Sequence, residues 1–117
     1  MLTDRDYCDY DTAITLSELG FPLKRMKVKN FIDGQFSDSI VTVLLYAAQK
    51  WLREEKDINV YVKAFNGEGW YYIIQNYKGA RIYPPLTKII VLCHSYEEAL
   101  SEGIKKAVKY LKDGIGE

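Results

Sequence analysis

The sequence predicts an α+β fold, in which a three- to four-stranded, largely antiparallel sheet carries two or three helices packed on one face. Three observations predict it: a long amphipathic helix near the end of the chain, an alternating pair of segments joined by Asn66-Gly67, and two shorter helical patterns upstream. The 117 residues match the size of one domain, and 48% of them are hydrophobic, enough to form a core. We therefore expect a single α+β domain over residues 1–117.

The last helix is predicted over residues 96–111, where apolar or small residues recur at spacings of three and four. Ser95 precedes it and Glu98 follows three residues later, which is the capping-box pattern. Its acidic residues lie in the first half and its lysines in the second, as the helix dipole favours. One whole stripe of this helix must therefore face an apolar surface. The predicted core residues on this stripe are Leu100, Ile104 and Ala107.

Two shorter helices are predicted upstream. The first covers residues 10–19, with Asp9 as its N-cap and Gly20 as its stop. The second covers residues 43–56, with Thr42 as its N-cap. The apolar stripe of the second helix consists of Leu44, Ala47, Ala48, Trp51 and Leu52. Each helix thus has one side that suits burial against the sheet.

The clearest strand is predicted over residues 58–65, where side chains alternate strictly. Asn66-Gly67 signals a hairpin, and the return strand is predicted over residues 70–75. A loop of two or four residues would exchange the faces of the return strand. We choose a loop of three, because it places Trp70 beneath the helices with the aliphatic residues of the first strand, in one layer with Trp51. The opposite face then carries Tyr61, Lys63, Phe65, Tyr71 and Ile73.

The other strand candidates are less regular. Residues 24–30 alternate as a short strand with a cationic outer face, either a lysine-guarded edge or a phosphate-contacting strip. Residues 31–41 form either a loop or a second weak strand. Residues 76–87, which include Pro84-Pro85, are predicted to be a surface excursion. Residues 88–93 are apolar on both sides, which is consistent with a central strand covered on both faces or with a strand at an interface.

Composition excludes several classes of protein. The 16 basic and 16 acidic residues balance, so no global field attracts nucleic acid or an anionic membrane. No run of 18 apolar residues is present, so we expect no membrane span. The first residues lack the basic and apolar segments of a secretion signal. We therefore expect a cytoplasmic location, with Cys8 and Cys93 as free thiols.

No set of residues suggests catalysis. The only histidine, His94, follows Cys93, and adjacent residues on an extended strand point to opposite faces, so they cannot form a thiolate–imidazolium pair. Cys8 could approach His94 across the fold, although nothing in the sequence requires it. Spacings typical of zinc, calcium, phosphate or dinucleotide sites do not occur. We therefore expect no catalytic residues, no metal site and no cofactor, and not an enzyme.

Three segments together resemble a group of small uncharacterised proteins encoded in gut-bacterial genomes and in associated phages or mobile elements. They read C-D-Y-D-T-A-I-T-L-S-E-L-G-F at 8–21, A-Q-K-W-L-R-E-E-K at 48–56 and Y-E-E-A-L-S-E-G-I-K-K-A-V-K-Y-L at 96–111. The group shares an aromatic strand with a G-W-x-x start between the second and last helices. Residues 78–90 depart from that pattern as an insertion. The group has no established activity, cofactor or catalytic residue, so the resemblance implies an accessory protein without chemistry.

Aromatic residues form 14% of the chain, and ten of them are tyrosines. Half-exposed sheet tyrosines are common, but Tyr and Trp also concentrate at protein interfaces. With helices on one side only, the open sheet face is expected to be a partly apolar surface. We therefore expect a non-catalytic protein–protein interaction module, whose partner is an unknown protein or a second copy. The predicted partner-binding residues are Tyr61, Lys63, Phe65, Tyr71, Ile73 and Tyr83.

The alternative function is single-stranded nucleic-acid binding, because such platforms interleave aromatic side chains with cations. It would use the open aromatic face together with Lys27, Lys29 and Lys63. The chain has zero net charge and no motif typical of an RNA-recognition sheet, so nucleic acid is the less favoured partner.

Overall fold

The computed structural model describes residues 6–22, 27–32, 37–84 and 90–113, and for 27–32 and 37–42 it describes the backbone alone. The described part holds three helices and five strands, which form the α+β fold that the sequence predicts. In chain order they are α1 (Tyr10–Glu18), β1 (Lys27–Ile32), β2 (Ser37–Thr42), α2 (Leu45–Glu55), β3 (Ile58–Phe65), β4 (Gly69–Asn76), β5 (Arg81–Tyr83) and α3 (Tyr96–Asp113).

The strands form two separate antiparallel sheets. The main sheet has three strands in the order β3-β4-β5, and β1 pairs with β2 in a sheet of its own. The weak strand that was one of two alternatives for residues 31–41 therefore exists as β2. It pairs with β1, so the first predicted strand does not join the main sheet. Residues 24–26 of that predicted strand lie outside the described residues.

The β3–β4 hairpin has the predicted register. Phe65 pairs with Gly69, so three residues form the loop. Asn66 and Gly67 have positive φ values of 48° and 76°, as in a type I′ turn. The Glu68 N–H donates to the Phe65 carbonyl at 2.8 Å, yet Gly69 is the residue opposite Phe65. Glu68 is thus an extra residue, like a bulge, and the pairing of Phe65 with Gly69 gives the return strand the predicted faces.

The core lies between one face of the main sheet and the helices. α2 packs on β3, α3 packs on both β3 and β4, and α1 packs on α3 and β2. Trp51 is buried and meets Phe21 edge-on, with ring centroids 5.5 Å apart. The fully buried large side chains are Leu16, Val43, Leu45, Leu52, Val60, Ile74, Leu100 and Ile104. The core positions predicted for Trp51, Leu100, Ile104 and Ala107 are therefore confirmed.

Trp70 is half-buried, so the prediction of a core position for it is wrong. It lies on the predicted face, but near the hairpin end, where Ala64 opposite it is exposed. The sheet extends past the helices here. The Trp70 ring meets Tyr96 at the start of α3, with centroids 5.7 Å apart and the rings nearly perpendicular. Trp70 therefore anchors the first turn of α3 to the hairpin.

α1 begins and ends where the sequence predicts. The Asp9 carboxylate accepts the Thr12 N–H at 2.8 Å as the N-cap. At the other end Gly20, with φ of 110°, and Phe21 donate their N–H groups to Ser17 and Leu16, which is a Schellman motif. The conformation at Gly20 thus turns the chain so that the Phe21 ring enters the core.

Asp9 also ties α1 to α3. The Lys105 ammonium lies 3.1 Å from its carboxylate. Burial would raise the pKa of Asp9, but the hydrogen bonds from Thr12 and Lys105 outweigh it and hold that pKa below its usual range. Both side chains of this ion pair are about half-exposed, so it contributes little to the free energy of folding. Its main effect is to fix the position of α1 relative to α3.

α2 begins later than predicted, and Thr42 is not its cap. Thr42 is the last residue of β2, and Leu44 holds the N-cap position without a side-chain cap. The chain stays extended up to Leu44 because the Cys8 N–H donates to the Val43 carbonyl at 2.7 Å and Tyr7 bridges Leu44. Pairing with the N-terminal segment therefore overrides the capping preference of threonine.

β5 and the segment after it differ from prediction. Residues 81–83, expected within a surface excursion, pair with β4. The Asn76 side chain makes this connection tight, because its oxygen accepts the N–H groups of Lys78 and Ala80. Residues 90–92, part of the segment predicted to be either a central strand or a strand at an interface, are outside the sheet and exposed, while residues 85–89 lie outside the described part. The prediction of a central strand is therefore wrong for residues 90–92.

Candidate functional site

The open face of the hairpin brings four of the predicted partner-binding residues together. Lys63 lies opposite Tyr71, and Phe65 and Tyr61 lie on either side of Lys63 along the same face. The Phe65 and Tyr71 rings meet edge-on, with centroids 6.1 Å apart. Lys63 and Phe65 are exposed, and the two tyrosines are half-buried. This face is thus an aromatic surface with one ammonium group within it.

Two predicted site residues do not belong to this exposed surface. Ile73 shares the open face but is only 3% exposed, so its predicted exposure is wrong. Tyr61 lies directly opposite it and Tyr71 precedes it by two residues, so two tyrosines are its neighbours on that face. Tyr83 is opposite Ile74 in the register, which places it on the helix side of the sheet. Its ring stacks on that of Tyr72 at 5.1 Å.

Residues 90–92 lie along the edge of β4 beside the hairpin. Ile90, Val91 and Leu92 are 37%, 71% and 36% exposed, although all three are aliphatic. The following residue fixes their position, because Cys93 and Trp70 exchange two backbone hydrogen bonds of 2.7 and 3.0 Å. Of the two structures predicted for this segment, the exposure of residues 90–92 contradicts the central strand covered on both faces.

Gly69 allows this segment to approach the hairpin. A methyl group placed on Gly69 would lie 2.9 Å from the Cys93 carbonyl oxygen and 3.1 Å from the β-carbon of Leu92. Gly69 is opposite Phe65, so its missing side chain leaves room between Phe65 and Leu92. The result is a contiguous surface, which we call the apolar patch. It consists of Phe65, Tyr71, Ile90, Val91 and Leu92.

A groove of about 430 Å³ runs between residues 90–93 and α3. One wall is the aliphatic segment, the other is the charged side of α3, and Tyr72 and Tyr83 line the groove between them. The Lys106 ammonium lies 4.9 Å from the centre of the Tyr83 ring. Burial, and then the hydrogen bond with Tyr83, raises the pKa of Tyr72, so its hydroxyl stays protonated. The groove is thus apolar on one side and ionic on the other.

Cys8 and His94 line a second cleft of about 610 Å³ beside the start of α3. Burial, reinforced by the negative charge of Asp9, raises the pKa of the Cys8 thiol to about 12. Burial and the nearby Glu98 and Glu102 carboxylates also raise the pKa of Cys93. Both thiols are therefore held in their protonated form at neutral pH, and the thiolate is the nucleophilic form. The arrangement is the opposite of the one that activates a cysteine nucleophile.

The rate of alkylation will measure how reactive the Cys8 thiol is. With Cys93 replaced by serine, Cys8 in the folded protein is expected to react with iodoacetamide at pH 8 at least ~100-fold more slowly than a model thiol peptide, because its thiolate fraction is much smaller. The same variant in 6 M guanidinium is the control and should react like the peptide. A folded-state rate above that of the peptide would mean an activated thiol, and would contradict the non-catalytic interpretation.

The lysines of the nucleic-acid alternative do not lie in one sheet. Lys63 is in β3, whereas Lys27 and Lys29 are in β1, which pairs with β2 alone. Lys27 and Lys29 therefore lie outside the sheet that carries the open aromatic face. Among these three lysines, Lys63 alone lies in the main sheet.

The described residues contain no group of three or more His, Cys, Asp or Glu side chains placed to hold a metal ion. Within the same described part, none of the helices has the length and apolar character needed to cross a membrane. No family model matches the chain, and comparisons with curated proteins and with solved structures find no match either. The chemistry of the exposed surfaces is therefore the basis for a functional proposal.

Proposed function

We propose that this protein is a non-catalytic protein–protein interaction module that docks its partner on the apolar patch. The exposure of Val91 between two other aliphatic residues carries the proposal. Single apolar side chains on a surface need no explanation, but contiguous ones are typical of interaction sites. The accessory role implied by the resemblance to proteins of phages and mobile elements agrees with this proposal.

The composition of the patch supports docking of a polypeptide. Phe65 and Tyr71 supply rigid aromatic area, which is enriched at the centre of protein interfaces. Tyr61 and Lys63 border them on the same face and supply polar groups for a rim. An apolar centre with a polar border is the usual anatomy of an interface between proteins.

The backbone beneath the patch is well ordered by pairing. β4 is bonded to β3 on one side, and on the other to β5 and to Cys93. Trp70 links this strand to α3 through Tyr96. A surface held by such a scaffold binds with a small loss of conformational freedom. The part of the patch that Phe65 and Tyr71 form is therefore preorganised for a partner.

The double variant Phe65→Ser, Val91→Ser tests the proposal. Partners captured by quantitative pull-down from the native host are expected to bind this variant at least ~10-fold more weakly than the unmodified chain, because truncation of central interface residues has effects of this size. Tyr77→Ser is the matched control, since Tyr77 is 70% exposed but lies in the turn at the far end of β4. Retention of every partner by the double variant would overturn the proposal.

A further inference from the structure

The groove beside the patch has unbalanced charge along α3. Near the start of the helix, Glu98 accepts the His94 N–H at 3.3 Å. In the middle, Lys105 lies 3.7 Å from Glu102 and also pairs with Asp9. These groups thus have partners within the fold, and Glu98 and Glu102 belong to the end of the groove near Cys93.

Lys106 and Lys109 line the other end of the groove. Within the described part of the chain, neither lysine forms an ion pair with a carboxylate. The helix dipole favours cations in the last turn of a helix, but Lys106 lies about two turns before the end of α3. The ammonium of Lys106 is positioned over Tyr83 instead. Two cations without carboxylate partners therefore face an aliphatic wall.

From these contacts we propose that the groove binds an extended polypeptide segment that has an aliphatic anchor and carboxylates on one side of it. The anchor contacts Val91 and Leu92, and the carboxylates reach Lys106 and Lys109. The inference rests on the proposed function, since it names the chemistry of the partner for a surface that includes the apolar patch. The size of the groove suits a short peptide segment, because a volume of about 430 Å³ holds a few side chains.

The charges favour this partner over two others. A nucleic acid carries phosphates along its whole length, and these would meet Glu98 and Glu102 in the same groove. A second copy placed face to face on the open face would bring its own Lys63 and Arg81 towards the same two cations of the first copy, since Arg81 pairs with Gln75 on that face. A segment with carboxylates on one side only avoids both repulsions.

The probe is a displayed library of random 12-residue peptides, selected on the full chain. Enriched peptides are expected to carry an aliphatic residue with Asp or Glu grouped to one side. Their affinity, measured by fluorescence anisotropy, should fall at least ~10-fold between 50 and 500 mM salt, as expected for exposed ion pairs. Enrichment of neutral or basic peptides, or no enrichment, would overturn the inference. So would tighter binding of a 15-residue oligothymidine than of the selected peptides.

Charge reversal locates the binding site. Lys106→Glu, Lys109→Glu is expected to weaken the selected peptides at least ~10-fold, because two attractions become repulsions. Lys50→Glu, Lys78→Glu is the matched control, since it changes the net charge equally at exposed sites outside the groove. Lys109→Glu alone keeps the Lys106 contact with Tyr83 and should show a smaller loss with an unchanged melting temperature. An effect no larger than in the control would overturn the inference.

Failure of the inference can be told apart from failure of the proposed function. A host partner that is lost in Phe65→Ser, Val91→Ser but is insensitive to reversal of Lys106 and Lys109 would contradict the inference alone. Self-association in analytical ultracentrifugation that is abolished by the same reversal would identify a second copy as the occupant, and would also contradict it.

Discussion

Replacement of Ile104 by alanine is expected to lower the free energy of unfolding by about 2–5 kcal/mol, and Leu100→Ala by a similar amount. Both side chains are fully buried on the side of α3 that packs on the sheet. Each substitution removes apolar contacts and leaves a cavity that the rigid β3–β4 pair cannot close. Because a domain of this size is stabilised by only about 5–15 kcal/mol, either change is a large fraction of the total.

Urea denaturation followed by far-UV circular dichroism measures this loss, provided that the transition is two-state. Ile14→Ala is the matched control, because Ile14 has the same chemistry but is 40% exposed on α1. Its effect should stay near the ±0.5 kcal/mol that is usual for surface positions. Equal losses for Ile14 and Ile104 would mean that α3 does not bury this stripe.

Replacement of Gly103 by valine is expected to be strongly destabilising for the opposite reason, because it adds atoms to a filled core. A methyl group placed on Gly103 would lie 2.7 Å from the Val60 γ-carbon and 3.1 Å from the Tyr72 β-carbon. Alanine would gain about 1 kcal/mol in helix propensity, but overpacking of a filled core costs about 1–3 kcal/mol. Gly103→Ala should therefore be neutral to destabilising, and Gly103→Val clearly destabilising, because valine adds two further carbons in the same contact.

A double-mutant cycle with Val60→Ala identifies the cause. Val60 is β-branched and held in a strand, so it cannot rotate away from an added methyl group. If the clash with Val60 dominates, Gly103→Ala should be less harmful in the Val60→Ala background, with a coupling energy of at least about 0.5 kcal/mol. Additive effects in the cycle, or a Gly103→Val variant as stable as the unmodified chain, would show that α3 does not approach the sheet so closely.

The features that follow from local chemistry could be read in the sequence. The ends of α1 are determined by Asp9 and Gly20, whose caps use only neighbouring backbone groups. The alternation of β3 and the turn at Asn66-Gly67 likewise depend on a short stretch of chain. At the start of α3, the Glu98 N–H donates to the Ser95 hydroxyl, as the capping box requires. The Glu98 carboxylate accepts the N–H of His94, the residue before Ser95.

The features that depend on distant segments could not be read. Thr42 has the chemistry of an N-cap, but pairing of Cys8 with Val43 keeps the chain extended past it. An aliphatic run such as residues 90–92 looks the same whether it is central or exposed, because hydrophobicity alone does not report what covers it. The burial of Ile73 depends in the same way on its neighbours across the sheet rather than on its own position in the alternation.

The residues of the candidate site also divide into those set by the local pattern of the sequence and those set by distant segments. Tyr61, Lys63, Phe65 and Tyr71 were found because strand alternation and a three-residue loop place them on one face. Tyr83 was assigned to that surface by its aromatic character, which does not report the register that pairs it with Ile74. The groove with Lys106 and Lys109 was missed, because it requires α3 and residues 90–92 to lie side by side.

The extra residue at the hairpin turn has a consequence for how this chain tolerates changes in length. Loops generally accept insertions and deletions at small entropic cost. Removal of the bulged residue Glu68 would leave Asn66-Gly67 as a two-residue turn with Gly69 still opposite Phe65, so β4 would keep its faces. Tyr71 would then stay on the open face, and Trp70 and Tyr72 would stay on the side of α3. The position of Glu68 is therefore a place in this hairpin where related sequences can differ by one residue without a change in the displayed surface.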